Sequence, residues 1–288
     1  MLDAIAMAFK RVGLTARNDK KKAFDLTKKL LTHLDEKGLE IVVDPEIAKH
    51  VGNIEIAVPL EEWKTDFIVA VGGDGTILRT CIQIPKPEPP ILAINMGERG
   101  FLTEVAPKNA LSAIDRVLEG NYTIERCKKL AASVEGEALP DALNEVFISA
   151  DAPVKLLYAN LWKDGNQILD VRADGLLIAS QTGSTGYSIA AGGPVLDPET
   201  DVFVITPVCP LTPFPPIVFS ENSKIVVEIE RPREALVVVD GYYRKLVDGR
   251  KPRVTISKSA NVTSFIRFEK RFYGRLESRL LYPKGRRC

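Results

Sequence analysis

Two hydrophobic periods alternate along the first part of the chain. Residues 12–16 form a short apolar run that reads as a strand. Asn18 or Asp19 is then placed to cap a helix running to about Lys37, with Ala23, Leu26, Leu30 and Leu34 at helical spacing and Gly38 as its stop. Residues 41–43 predict a second strand, and Asp44-Pro45 predicts a cap with proline at the first helical position. Residues 67–71 and 91–94 are apolar without polar alternation, as strands buried on both faces require. Residues 107–118 predict a helix with Ala110, Leu111, Ile114, Val117 and Leu118 on one stripe and Gly120 as the stop. Strands alternating with helices imply a parallel sheet with ligand sites at the strand C-termini.

From residue 122 the pattern changes to short β-rich runs at 146–149, 154–162, 176–179, 225–229, 236–239 and 254–256, separated by turn residues. Only residues 184–191 suit a short helix within them. The fold class expected is α/β plus all-β: an N-terminal α/β domain over 1–121 and a mainly antiparallel β domain over 122–268. The basic, helix-compatible segment 269–288 is expected to pack back on the first domain. The proline-rich stretches 85–90 and 207–216 read as rigid loops.

Composition narrows the chemistry. In 288 residues, 39 Lys+Arg and 38 Asp+Glu leave a net charge of +1, which gives no support for a nucleic-acid-binding surface. No apolar run is long enough to span a membrane or to serve as a signal peptide, so a cytoplasmic location is expected. Cys81, Cys127, Cys209 and Cys288 form no CxxC pair and read as thiols in a reducing compartment. With only His33 and His50, a zinc site or histidine triad has little to work with, so acid–base work falls to carboxylates.

Five segments carry candidate chemistry. Gly72-Gly73-Asp74-Gly75-Thr76 follows the buried run 67–71, with residues 77–84 able to open a helix. Glycines there let backbone N–H groups approach phosphate oxygens. The carboxylate would be repelled by phosphate unless it works on a metal or a hydroxyl proton. The pattern is neither GxGxxG nor GxxxxGK[ST]. Asn95-Met96-Gly97-Glu98-Arg99-Gly100-Phe101-Leu102 suits a loop lying against a ligand, or a plain βα loop. Asn144-Glu145 could bond ribose hydroxyls, or be an exposed polar pair. Residues 174–187, with Asp174-Gly175, Thr182-Gly183-Ser184-Thr185-Gly186 and Tyr187, join a strand to a hydroxyl-rich turn. Such a turn offers donors to a nucleotide, and Tyr187 could stack on a base. Asp240-Gly241 reads as a hairpin turn.

In this order GGDGT, NxGxxGFL, NE, DGLL with TGST, Gly192-Gly193-Pro194 and Asp240-Gly241 resemble the NAD kinase family over residues 67–241. GGDG alone is also similar to diacylglycerol kinases and phosphofructokinases. That similarity leaves a lipid or sugar kinase, or a non-catalytic dinucleotide sensor, as alternatives; TGST and NE narrow the resemblance to NAD kinases. It implies a Rossmann-like first domain, NAD bound between the domains, and phosphorylation of the adenosine ribose 2′-hydroxyl to give NADP. The donor would be ATP or polyphosphate with Mg²⁺ or another divalent cation, and the assembly a homodimer or homotetramer. Asp74 would be the catalytic base. Gly72, Gly73, Gly75, Thr76, Arg99, Phe101, Asn144, Glu145, Arg172, Asp174, Thr182, Thr185, Gly186 and Tyr187 would line the nucleotide sites. The length and short N-terminal extension look like archaeal members.

The sequence departs from the family pattern in places. Ser180-Gln181 stand where members usually carry Thr-Pro, and Gly186 where they carry Ala. Losing the proline removes a fixed φ, so a looser turn is expected. Leu211 and Tyr242 replace a frequent His and Gln.

Overall fold

The computed structural model describes residues 9–97, 100–152, 154–269 and 272–277. The chain divides into two compact units, Met1–Arg126 with Thr263–Cys288, and Cys127–Val262. The sequence reading put the boundaries at 121/122 and 268/269. The observed ones fall inside strands, where composition gives no signal.

The first unit begins with strand β1 (Arg11–Ala16), helix α1 (Lys21–Glu36), β2 (Glu40–Val43), α2 (Pro45–Val51), β3 (Phe67–Gly72), α3 (Asp74–Gln83), β4 (Ile91–Asn95) and α4 (Ala110–Leu118). Its strands are parallel in the order β2-β1-β3-β4. The order reverses at β1, and ligands of open α/β sheets bind at such a switch point, beyond the strand C-termini. Leu30, Leu34, Ile47, Phe67, Val69, Leu92 and Ile114 are among the side chains of its core. Asp44 caps α2 as expected, accepting from Glu46 N–H at 3.0 Å.

Two details differ from the sequence reading. Helix α1 has Lys20 at its cap position and no side-chain cap, because Asp19 is engaged by Arg17 at 2.6 and 2.7 Å. In α4 the buried positions are Ala110, Ala113, Ile114 and Val117, while Leu111 is exposed.

The second unit is built from β5 (Thr123–Val134), β6 (Glu137–Ala138), β7 (Glu145–Ala150), β8 (Leu157–Lys163), β9 (Asn166–Ala173), β10 (Gly175–Ala179), α5 (Tyr187–Ala190), β11 (Val202–Val208), β12 (Ile217–Ser220), β13 (Ile225–Arg231), β14 (Glu234–Val239), β15 (Tyr243–Asp248) and β16 (Arg253–Arg267). Six of these strands (β5, β6, β9, β11, β12 and β15) carry no clean sequence signal. Pro207 lies in β11 and not in a loop, and Val154 sits exposed at φ 69° ahead of β8. One antiparallel layer has the order β12-β11-β10-β7-β14-β15, and β16, β13, β8 and β9 pair antiparallel in another. The inward residues of both, including Val146, Ile148, Leu176, Ile178, Val237, Leu161, Val227 and Ile256, make one core. The end of β16, from Thr263 on, belongs to the first unit and pairs parallel with β4 there, Phe265 opposite Ile91. Helix α6 (Phe272–Leu276) is short. The remainder of the expected C-terminal helix lies outside the described residues.

Candidate active site

In the first unit, β3 delivers the chain to Gly72, and helix α3 starts at Asp74 with Gly73 as its cap residue. The expected helix after GGDG therefore begins within the motif, and Asp74 stands on its first turn. The Asp74 carboxylate accepts from the N–H groups of Phe101 (2.7 Å) and Leu102 (2.9 Å). These successive amides fix the plane of the half-buried carboxylate. The loop that supplies them starts with an Asx turn, Gly97 N–H to Asn95 Oδ1 at 2.9 Å, and is held to β3 by Met96 N–H to Gly72 O at 2.8 Å.

Close approach explains two glycines here. A Cβ on Gly100 would lie 2.6 Å from Thr103 Oγ1 and 3.2 Å from Asp74 Oδ1, and one on Gly72 would overlap Thr76 Oγ1. Gly73 faces open space, and Gly75 is exposed. Beneath the loop the buried Arg267 donates to Leu102 O at 2.8 Å and to Glu125 at 2.5 Å. The structure thus gathers Gly72, Gly73, Asp74, Gly75, Thr76 and Phe101. Arg99 lies outside the described residues.

In the second unit, Asn144 and Glu145 open β7, and the turn after β10 packs against them. Ser180 N–H donates to Asn144 O (2.9 Å) and Ser180 Oγ–H to Leu143 O (2.5 Å). A Cβ on Gly183 would overlap the Asn144 carbonyl. Thr185 Oγ1 donates to Thr182 O at 3.0 Å, closing a 3-10 turn at Gly183–Thr185. Gly186 lies against both side chains of the pair: a Cβ there would be 3.3 Å from Glu145 Oε2 and 3.4 Å from Asn144 Nδ2. Gln181 does not leave the turn loose. Its Nε2 donates to Thr200 O at 2.5 Å, tying the turn to the chain ahead of β11.

Asn144 Oδ1 and Glu145 Oε2 are buried and have no hydrogen-bond partner in the protein. Burial first, then the neighbouring Asp240 charge, push the Glu145 carboxyl up to about 8. Neutral at pH 7, it can donate as well as accept. Among the other expected residues, Tyr187 is half-exposed with its ring 5.5 Å from that of Phe147. Asp174, just ahead of β10, is exposed about 20 Å from Ser180 at the start of the turn, at ~3.3 Å per residue, and Arg172 is exposed in β9. The Arg172 guanidinium lies 5.6 Å from the centre of the Tyr158 ring.

Three residues that sequence reasoning did not assign to the site complete this region. Asp240 forms the expected turn, with Tyr242 N–H to Val239 O at 3.0 Å, but is also buried and accepts from three successive amides. Burial pushes its carboxyl up to about 6, against those amide bonds and, behind them, the charge of Lys129 on β5, which is 1% exposed. Ser180 is the third. A lysine in a strand gives no sign of burial, and Asp-Gly signals only its turn.

Among the described residues no three His, Cys, Asp or Glu side chains converge as a metal site. These side chains fit an ion carried by substrate phosphates and water more than one held in a protein cage.

Residues 12–122 match the ATP-NAD kinase N-terminal domain model and residues 143–268 the ATP-NAD kinase C-terminal domain model. The chain is 42% identical to an NAD kinase of Pyrococcus abyssi over 94% of this chain and 98% of that one. It is 38% identical to an NAD kinase of Methanothermobacter thermautotrophicus over 94% and 96%. An NAD kinase from Archaeoglobus fulgidus solved with ATP superposes with a TM-score of 0.77 at 33% identity, covering 93% of this chain and 99% of that one. Yeast NADH kinase solved with NADH shares the fold, with a TM-score of 0.88 at 21% identity over 98% and 90%. Two matched domain models in order, and relatives aligned over nearly their whole length, place this chain in the NAD kinase family.

Proposed function

We propose that the chain phosphorylates the 2′-hydroxyl of the adenosine ribose of NAD, with Asp74 as the base. The observation that carries this is the Asp74 carboxylate, held by two backbone amides on the first turn of α3, directly after two glycines. A ribose hydroxyl is a weak nucleophile at neutral pH and needs a positioned base. As the 2′-oxygen bonds to the terminal phosphorus of the donor, the bond from that phosphorus to its bridging oxygen breaks. The hydroxyl proton passes to an Asp74 carboxylate oxygen. The glycines at 72, 73 and 75, with Thr76, Arg99 and Phe101, are assigned to the donor phosphates. ATP, the ligand of the Archaeoglobus relative, is the first donor to test, and polyphosphate is the second. A divalent cation, held by phosphate oxygens and water, would offset charge on the transferring group.

Asn144, Glu145, Thr182, Thr185, Gly186 and Tyr187 are assigned to the dinucleotide, with Asp174 and Arg172 at its far end. Support comes from the two buried side-chain oxygens without partners, since buried polar groups rarely stay unpaired and ligand hydroxyls would satisfy them. The measurement is NADP formation from NAD and Mg²⁺, run in parallel with ATP and with polyphosphate. No NADP from either donor would overturn the reading.

A homodimer or homotetramer is part of the proposal. Leu236 and Val238 are half-buried on the face of β14 that turns away from the core, with Leu246 and Val218 exposed on the same sheet. Light scattering that gives a monomer at micromolar concentration would remove this part. A cytoplasmic location accords with thiols at Cys81, Cys127 and Cys209. Among the described residues no helix is long and apolar enough to cross a membrane.

A further inference from the structure

We propose that Asp240 is a positioning residue for the dinucleotide: it fixes the backbone of residues 143–145 and so the direction in which Asn144 and Glu145 present their side chains. The inference rests on the reading that these two residues contact NAD. Asp240 Oδ2 accepts from Leu143 N–H at 2.7 Å, and Oδ1 accepts from Asn144 N–H at 2.8 Å and Glu145 N–H at 2.9 Å. Asp240 N–H returns a bond to Glu145 O at 3.0 Å. In a regular strand successive residues point to opposite sides, so three consecutive amides cannot meet one acceptor. Here the chain bends around the carboxylate before β7 begins.

The carbonyls of the same segment are held from the other side. Ser180 donates to Leu143 O through its hydroxyl and to Asn144 O through its amide. Burial pushes the Asp240 carboxyl up to about 6, against the three amide bonds and, behind them, the charge of Lys129, enclosed on β5. Every main-chain group from Leu143 N–H to Asn144 O is therefore committed, while Asn144 Oδ1 and Glu145 Oε2 stay buried without partners. Side chains on a mobile segment would turn to find water or a donor, because an unmet buried acceptor is costly. The fixed backbone beneath these two sets the directions in which their side chains leave it. A ligand then meets a site whose reorganisation cost was already met in folding.

Asp240→Asn keeps the size but turns one acceptor oxygen into a donor facing amide donors. The expected result is a KM for NAD raised about tenfold or more, the size of a lost charge-assisted bond. kcat at saturating NAD and KM for ATP should change by less than about threefold, as for loss of binding made equally in ground and transition states. A merely structural role would reduce the active fraction and leave KM unchanged. A folded variant with wild-type KM for NAD, or with both KM values raised alike, overturns the proposal.

Should Asp240→Asn lose its cooperative thermal transition, the double variant Lys129→Met/Asp240→Asn removes both buried charges and is judged by the same split. In the wild-type protein the amide protons of residues 143–145 should already be bonded to the carboxylate before NAD is added. Large shifts of all three on NAD saturation would also overturn the proposal. Asn144→Ala and Glu145→Ala separate the two readings. If both keep the wild-type KM for NAD, the assignment of the site itself fails. If both raise it and Asp240→Asn does not, only the positioning role fails.

Discussion

Asp74 and Asp240 look alike in sequence, each an Asp-Gly pair at the end of an apolar strand, and each carboxylate is gripped by successive backbone amides. They differ in what surrounds them. Asp74 takes two amides on the first turn of a helix and stays half-exposed, beside glycines that leave room for a substrate. Asp240 takes three and is 3% exposed, and that burial pushes its carboxyl up to about 6 against the amides and, behind them, the charge of the enclosed Lys129. A carboxylate in an amide cradle is thus no signature of catalysis by itself. Access separates the group that can take a proton from a substrate from the group that holds a loop.

The sharpest way to break this contrast is Asp74→Asn. The amide keeps the shape and one of the two accepted bonds but cannot accept the 2′-hydroxyl proton. Turnover should fall about 10²-fold or more, the usual size of a general-base contribution. The Kd for NAD by calorimetry should hold within about threefold. Turnover within a factor of a few of wild type would put Asp74 in the same class as Asp240.

Lys129→Met tests the other carboxylate. It removes a charge that, behind the three amides, opposes the burial that pushes the Asp240 carboxyl up to about 6, so the ionised form should be held less well and stability at pH 7 should fall. The denaturation midpoint should drop correspondingly, with the urea m-value unchanged. A midpoint within experimental error of wild type would mean that Asp240 is balanced by its amides alone.

The same contrast explains how much could be read from the chain. The parallel strands of the first unit were legible because both of their faces are buried, which leaves uninterrupted runs such as residues 67–71 and 91–94. β9 and β15 were not, because their outward positions are charged and the inward ones few: NQILDVRA and YRKLVD. The candidate site was legible where a residue type is tied to its chemistry, as with Asp74 and the TGST turn. Its supports were not, because Asp240 and Ser180 act through contacts 36 to 97 positions apart in sequence, and Lys129 stands 111 positions from Asp240. Gln181, expected to loosen the turn, tethers it through a partner at Thr200 that no local pattern announces.

Glu145→Gln asks whether the charge of Asp240 reaches its neighbour. Glu145 is raised by burial and by Asp240 to about 8 from an ordinary 4.5, so the folded protein binds this proton more tightly than the unfolded chain. Its contribution to stability is full below about pH 4.5 and is lost as pH rises through about 8. The wild type should therefore lose stability relative to Glu145→Gln by about 1 kcal/mol per pH unit between pH 5 and 7. Parallel stability–pH curves for the two proteins would show that the Glu145 proton is not held by the fold.

The smallest expected effect belongs to Gly186→Ala, which restores the residue usual in the family pattern. The backbone there has φ −94° and ψ −124°. The new Cβ would stand 3.2 Å from Gly183 O, 3.3 Å from Glu145 Oε2 and 3.4 Å from Asn144 Nδ2, tighter than ordinary contact by a few tenths of an ångström. Gly183 cannot yield, since it packs on the Asn144 carbonyl, and the main chain of residues 143–145 is held by Asp240 and Ser180. The side chains of Asn144 and Glu145 must give instead. Entropy lost by the unfolded chain contributes at most about 0.4–1 kcal/mol of stability, and the crowding opposes it. The midpoint should hold within about 1 kcal/mol while KM for NAD rises by a few-fold. An unchanged KM for NAD would mean that the two side chains shift without consequence, and that the fixed backbone beneath them matters less than the contrast with Asp74 implies.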